Sequence, residues 1–162
     1  MKRALGKFAA ALGLGLTLGF GAQTTQAADI NPFNFNVYSL GDIGTSGSGY
    51  GSDYQGVAGA AGSAYFTNFS LNDLNQAQVV PGYSLTVGGD AIISGQINNG
   101  GIEAGGNVAI NNTGVFGDVY AGGNLTGLGG TVHGNATLGG TDNTTNAVTV
   151  TGSITQNTSY AA

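Results

Sequence analysis

Four Gly-Gly pairs stand in strict register in this chain, at Gly88-Gly89, Gly105-Gly106, Gly122-Gly123 and Gly139-Gly140, each seventeen residues after the last. A second glycine column, Gly100, Gly117 and Gly134, keeps the same interval. With 32 glycines among 162 residues, scattered pairs are expected, but four in one register are not. A fixed short period marks supersecondary units stacked on one another. The stretch 84–151 can be written as four rows of seventeen: SLTVGGDAIISGQINNG, GIEAGGNVAINNTGVFG, DVYAGGNLTGLGGTVHG and NATLGGTDNTTNAVTVT.

The columns of these rows predict strands. Leu85, Ile102, Val119 and Ala136 form one apolar column, and Val87, Ala104, Ala121 and Leu138 another. Between them lie Thr86, Glu103, Tyr120 and Thr137. Apolar, mostly polar, apolar is a period of two, so each row opens with a short strand that turns one face inward. The Gly-Gly pair ends that strand, where a corner at φ > 0 would suit glycine. Asp90, Asn107, Asn124 and Thr141 follow, short polar side chains that bond to nearby backbone in tight corners. A second strand runs through Ile93 and Ile110. A third apolar segment follows at Ile97, Val115, Val132 and Val148, with a one-residue slip between rows.

Three short strands per row, separated by Gly/Asn corners, predict an all-β fold, a parallel β-helix of about seventeen residues per coil. Glycine, asparagine and β-branched residues throughout the rows disfavour a helical solenoid. An up-and-down barrel would not demand a fixed register of turns. No single coil can bury its own apolar face, so a continuous core needs several.

The rest of the chain divides around this repeat. Residues 1–27 read as a secretory signal peptide: Lys2, Arg3 and Lys7 are its charged start, Phe8 to Phe20 its apolar stretch, and Thr25-Gln26-Ala27 its small-residue exit. Thirteen apolar residues are short for a membrane span, which needs about twenty. Residues 28–162 then form a single domain without Lys, Arg or Cys. Its eight acids, Asp29, Asp42, Asp53, Asp73, Asp90, Glu103, Asp118 and Asp142, stand against no basic side chain, a formal charge of −8. Such a surface repels nucleic acid and anionic lipid, and nothing in it could neutralise phosphate.

Phe33, Phe35 and Val37 alternate with Asn34, Asn36 and Tyr38, which predicts an N-terminal capping strand with one buried aromatic face. Residues 44–51 read as a flexible loop, and 55–71 as a degenerate coil in which Ala61-Gly62 replaces the Gly-Gly pair. Residues 72–82 interrupt the register as a short helix or a bulged loop. Beyond Thr151 the pattern frays.

Three segments together resemble one family: PFNFNVYSLGD, VAGAAGSAYFTNFSL, and YSLTVGGDAIISGQINNGGIEAGGNV. In this order they are similar to the choice-of-anchor A domain of bacterial surface proteins, grouped with ice-binding-like adhesive domains. The resemblance spans nearly all of 28–162. It implies a right-handed β-helix, export, and an adhesive or cell-surface role. Members are named for variable C-terminal anchors; this chain shows neither an LPxTG-like signal nor an apolar tail with basic residues.

Catalytic motifs are sparse. The nucleophile elbow, the P-loop and the dinucleotide-binding glycine motif are all absent from the sequence. His133 is the single histidine and reads as a structural or solvated residue. With one His and no Cys, a zinc or copper site lacks ligands. Calcium is the better cation for this composition, with Asp90, Asn107 and Asn124 as weak candidate ligands, but the calcium-binding β-roll repeat is missing. The same column reads more simply as a ladder of side chains bonding backbone from coil to coil.

Among the tyrosines Tyr50, Tyr54, Tyr83 and Tyr120, Tyr120 is the candidate for an exposed binding surface, in the outward column Thr86, Glu103, Tyr120, Thr137. The expectation is thus a secreted, non-catalytic structural or adhesive module that meets a glycan or matrix ligand, without cofactor, nucleic acid or membrane span. An ice-binding protein is the alternative, and a polysaccharide-degrading β-helix enzyme a more distant one. For the enzyme, Glu103 with Asp118 or Asp90 is the one conceivable acid pair, and these residues occupy different columns.

Overall fold

The computed structural model describes residues 35–48, 53–75, 81–145 and 147–158, and the expected signal peptide, 1–27, lies outside them. The described residues hold twelve β-strands and no helix, stacked as a parallel β-solenoid of about six turns. The strands are β1 (Val37–Ser39), β2 (Ala58–Ala60), β3 (Ala64–Leu71), β4 (Tyr83–Val87), β5 (Ala91–Ile97), β6 (Gly101–Ala104), β7 (Val108–Val115), β8 (Val119–Ala121), β9 (Leu125–Val132), β10 (Ala136–Leu138), β11 (Val148–Val150) and β12 (Ile154–Thr155).

They form two parallel sheets. The first has seven strands in the order β1-β2-β4-β6-β8-β10-β12; the second has five, β11-β9-β7-β5-β3. Neighbouring strands of a sheet come from successive coils, so neighbouring rungs are about 4.8 Å apart. The apolar columns of the sequence are the inner faces. Leu85, Ile102, Val119 and Ala136 stack in register along the first sheet, and Val87, Ala104, Ala121 and Leu138 beside them. Ala91, Ile93, Val108, Ile110 and Leu125 close the core from the second sheet, all at 0% exposure.

Each coil carries two strands, not three. The expected second and third strands are one long strand with a bend in it. In β5, β7 and β9 the pairing slips at the bend, where Gly95, Asn112, Gly129 and Gly130 hold positive φ. A positive-φ residue turns the strand without ending the ladder, as in a bulge. The one-residue slip between rows has the same origin. β7 has one more residue than β5 between its paired core positions, Ile110 to Val115 against Ile93 to Ile97. The following corner is one residue shorter in compensation: Phe116-Gly117-Asp118 where the coil before has Asn98-Asn99-Gly100-Gly101.

In the last row the residue below Val132 is Val150, and Val148 lies below Gly130. The final coil is eighteen residues long, so the fourth member of that column is Val150, and the reading of Val148 there is corrected by two positions.

Before Ser84 the coils are irregular rather than absent. β1 begins a coil whose Ile43 and Tyr54 bridge β3. Val37 packs on the core, but Phe35 does not fill it. Its ring leans on Tyr38, centroids 5.3 Å apart, and both cover Gly59 on the outer face. The core at this end is filled instead by Phe66 and Phe69, stacked at 4.1 Å, with Tyr54 edge-on to both.

The next coil is longer, its corner bonds spanning 27 residues, and 76–80 of the interrupting segment 72–82 lie outside the described residues. Its described part is a turn with Asn72 and Asn75 at positive φ, not a helix. Past Thr151 the ladder continues: β12 pairs with β10, and Asn157 and Thr158 donate their N–H groups to the Gly140 and Leu138 carbonyls.

Candidate functional site

The outward column expected from the sequence is assembled. On the first sheet Thr86 stands beside Glu103, Glu103 beside Tyr120, and Tyr120 beside Thr137. The sheet extends this column at both ends. Tyr38 and Gly59 precede Thr86, and Thr155 follows Thr137. Strands of two to five residues with Leu85 and Val87 or their equivalents turned inward leave one outward residue per rung. The result is a single file of Tyr38, Gly59, Thr86, Glu103, Tyr120, Thr137 and Thr155 along the solenoid.

The file is uneven. Gly59 is buried under the rings of Phe35 and Tyr38; a Cβ there would lie 2.8 Å from Phe35 and 2.9 Å from Tyr38. Thr86 is only 9% exposed, so it forms an enclosed floor rather than an open hydroxyl. Glu103, Tyr120 and Thr137 are half-buried, and Thr155 is exposed. The contributions of Phe35, Tyr38, Gly59 and Thr155 were not legible in the seventeen-residue rows, because the intervals to them are 21, 27 and 18 residues. The outward position of Gly59 and the aromatic Tyr38 at β1 were the available signals.

The weak calcium candidates are engaged elsewhere. Asp90 Oδ1 accepts the Asn107 N–H at 2.6 Å, Asn107 Oδ1 the Asn124 N–H at 2.9 Å, and Asn124 Oδ1 the Thr141 N–H at 2.8 Å. The ladder reaches further toward the N-terminus than the repeat suggested: Asp42 Oδ1 accepts the Ser63 N–H, and Ser63 Oγ the Asp90 N–H. These side chains point along the stack, each to the coil after it, and do not converge on a common point. Among the described residues no three of His, Cys, Asp and Glu are grouped as metal ligands.

A second, shorter ladder occupies the opposite corner. Asn135 N–H bonds Asp118 Oδ1 at 2.7 Å, and Ser153 N–H bonds Asn135 Oδ1 at 3.0 Å. Toward the N-terminal side this corner is taken over by a buried polar cluster of Asn72, Ser84 and Asn99. Asn72, fully buried, donates to Ser84 Oγ and to the Asn99 carbonyl, both at 2.8 Å. Asn99 returns a bond to the Asn72 carbonyl at 2.7 Å, and Ser84 Oγ also donates to the Asn99 carbonyl.

The eight glycines of the four pairs sit at the remaining structural feature, and their reason differs from the one expected. None of them has positive φ. Their N–H groups bond the preceding coil, as Gly122 does to Ala104 and Gly123 to Gly106, both at 2.9 Å. The coils approach so closely there that a Cβ on Gly122 would lie 2.9 Å from the Gly105 carbonyl carbon and nearer still to its oxygen. A backbone carbonyl of the coil before excludes a side chain at the first glycine of each pair, and a side-chain oxygen of the corner ladder crowds the second; neither is a left-handed corner.

The acids considered for catalysis are kept apart. Glu103 belongs to the outward file, Asp118 and Asp90 to corners on either side of that sheet, and both aspartates accept backbone N–H groups. His133 is exposed and stacks on Phe116 of the preceding coil, with ring centroids 4.4 Å apart. Tyr54 belongs to the aromatic core cap, and Tyr50 lies outside the described residues. Comparison with protein-family models, with curated proteins and with solved structures finds no match to this chain.

Proposed function

We propose that this chain is an exported, non-catalytic structural or adhesive module that acts outside the cell or at its surface. The observation that carries this reading is the division of its polar groups. The corner carboxylates and amides bond backbone from coil to coil, and the outward file of the first sheet holds a single acid, Glu103. Acid–base chemistry on a glycosidic bond needs two carboxyl groups facing one reacting centre. A scaffold of stacked parallel strands supports a long, fixed surface, which suits attachment. The leader-like 1–27 segment and the likeness to choice-of-anchor A domains support export and adhesion.

The test is an array of glycans and extracellular matrix proteins probed with the purified protein, with and without calcium, alongside turnover assays on polysaccharides. Retention without turnover is expected. Reproducible cleavage that disappears in Glu103→Gln would replace this reading with the enzymatic one.

A further inference from the structure

The outward file of the first sheet has the dimensions and chemistry of a track for one extended polymer. We infer that it binds a neutral, linear, β-linked polysaccharide laid along the solenoid axis, an inference that rests on the adhesive reading and names its ligand class. Outward positions recur about every 4.8 Å, one per rung. That is close to the advance of one pyranose unit in an extended β-linked chain, so successive sugars would meet successive rungs.

The side chains are arranged to suit such a chain. At one end the paired rings of Phe35 and Tyr38 lie over Gly59, and three rungs beyond Gly59 stands Tyr120. Aromatic rings offer large, rigid apolar area with little side-chain entropy to lose, which suits the C–H faces of pyranoses. Between the two aromatic positions lies Thr86, the enclosed floor, and then Glu103. A carboxylate accepts hydrogen bonds from sugar hydroxyls, and charge-assisted bonds are the stronger ones. Thr137 and Thr155 continue the file with hydroxyls that both donate and accept.

Charge chooses among polysaccharides. No Lys or Arg occurs after Lys7, and Glu103 sits in the middle of the track. A uronate, a sulfated glycan or a nucleic acid would bring like charge to Glu103 and find no basic side chain to pair with.

The experiment is retention of the purified full chain on cellulose, chitin, mannan and xylan, with polygalacturonate and heparin as anionic comparisons. Retention on at least one neutral glycan and none on the anionic pair is expected. Tyr120→Ala and Glu103→Gln should each weaken it roughly tenfold or more. Tyr120→Leu keeps apolar bulk for folding and should weaken it as well, because the ring is lost. Leu128→Ala, on an 82% exposed side chain of β9 in the other sheet, should leave it unchanged. Unaltered melting temperatures would confirm that the Tyr120 and Glu103 variants remain folded. Preference for the anionic glycans overturns the inference, as does glycan retention indifferent to Tyr120 and Glu103. Retention on matrix proteins alone overturns it and leaves the adhesive reading standing. Retention on no surface overturns both.

Discussion

At the scale of single residues, the corners decide which side chains the chain accepts. Gly122→Val forces atoms into the Gly105 carbonyl, which already lies within backbone contact. Gly123→Val meets the Asn107 side-chain oxygen, 2.5 Å from where its Cβ would stand. Overpacking of this kind costs about 1–3 kcal/mol. Thermal unfolding of each variant should shift down by roughly 3–10 °C. Unchanged melting would mean that the coils can separate at that corner. Asn124 gives a finer comparison. Its Oδ1 accepts the Thr141 N–H, so Asn124→Ala removes that acceptor and should cost about 0.5–1.5 kcal/mol. Asn124→Asp keeps the oxygen and should cost less, as chemical denaturation of the pair would read. Equal losses would show that the amide nitrogen or the packing matters instead.

At the scale of elements, the end of β3 is tied to the start of β4 and the corner after β5 by a polar cluster. Asn72, Ser84 and Asn99 satisfy one another in a buried corner that the Asp118–Asn135 ladder does not reach. Buried polar groups left without partners cost about 1–3 kcal/mol each. Asn72 also holds φ +61, a region where alanine is strained. Asn72→Gly relieves that strain and removes only the network. It should still destabilise the chain, and it should speed amide exchange in β4 and at the start of β6 before other strands. Exchange that rises uniformly along the chain would show that the cluster is not a local anchor. The bend within β5, β7 and β9 belongs to this scale too. Thr113 is buried at the β7 bend, with its hydroxyl bonded to the Ile93 carbonyl at 2.9 Å.

At the scale of the whole molecule, the stack contributes its own stability through rung-on-rung pairing and one continuous core. Because the corner oxygens already accept backbone N–H groups, EDTA should move the melting temperature by no more than a degree or two. A fall on the order of 10 °C would mean that a bound cation contributes several kcal/mol. The outward file also bears on ice. A regular ice-binding face needs small matching groups on successive rungs, and here Glu103 and Tyr120 interrupt the threonines while Thr86 is enclosed. Among the described strands, only Thr137 with Thr155, and Thr131 with Thr149 on the other sheet, stand directly one beside the other. The purified protein should therefore show no thermal hysteresis and no shaping of ice crystals at micromolar concentration. Faceted crystals with a freezing gap would overturn that expectation, and bulky replacements at Thr137 and Thr155 would then test which face is responsible.

The sequence by itself determined the architecture wherever its period held. From Leu85 to Leu138 a seventeen-residue interval places the same residue type on the same rung, and parallel stacking is the arrangement that makes such a repeat useful. It also showed which residues share the outward file, because period two and period seventeen together specify face and rung. Other features depended on distances between coils, which no row of letters contains. Gly122 looks like a turn glycine in sequence, yet only the packed stack shows that the excluding group is a carbonyl from the coil before. The bend in β7 was hidden because Asn112 can adopt positive φ without breaking the ladder, so two apolar segments read as separate strands. Phe35 fits an alternating core pattern, but it precedes β1, and the open place above Gly59, the residue paired with Tyr38, takes its ring to the outside. Where coils lengthen to 21 or 27 residues the register is carried by hydrogen bonds between distant corners. Those bonds form only once the chain has folded upon itself, so only the tertiary structure could say which rung each residue joins.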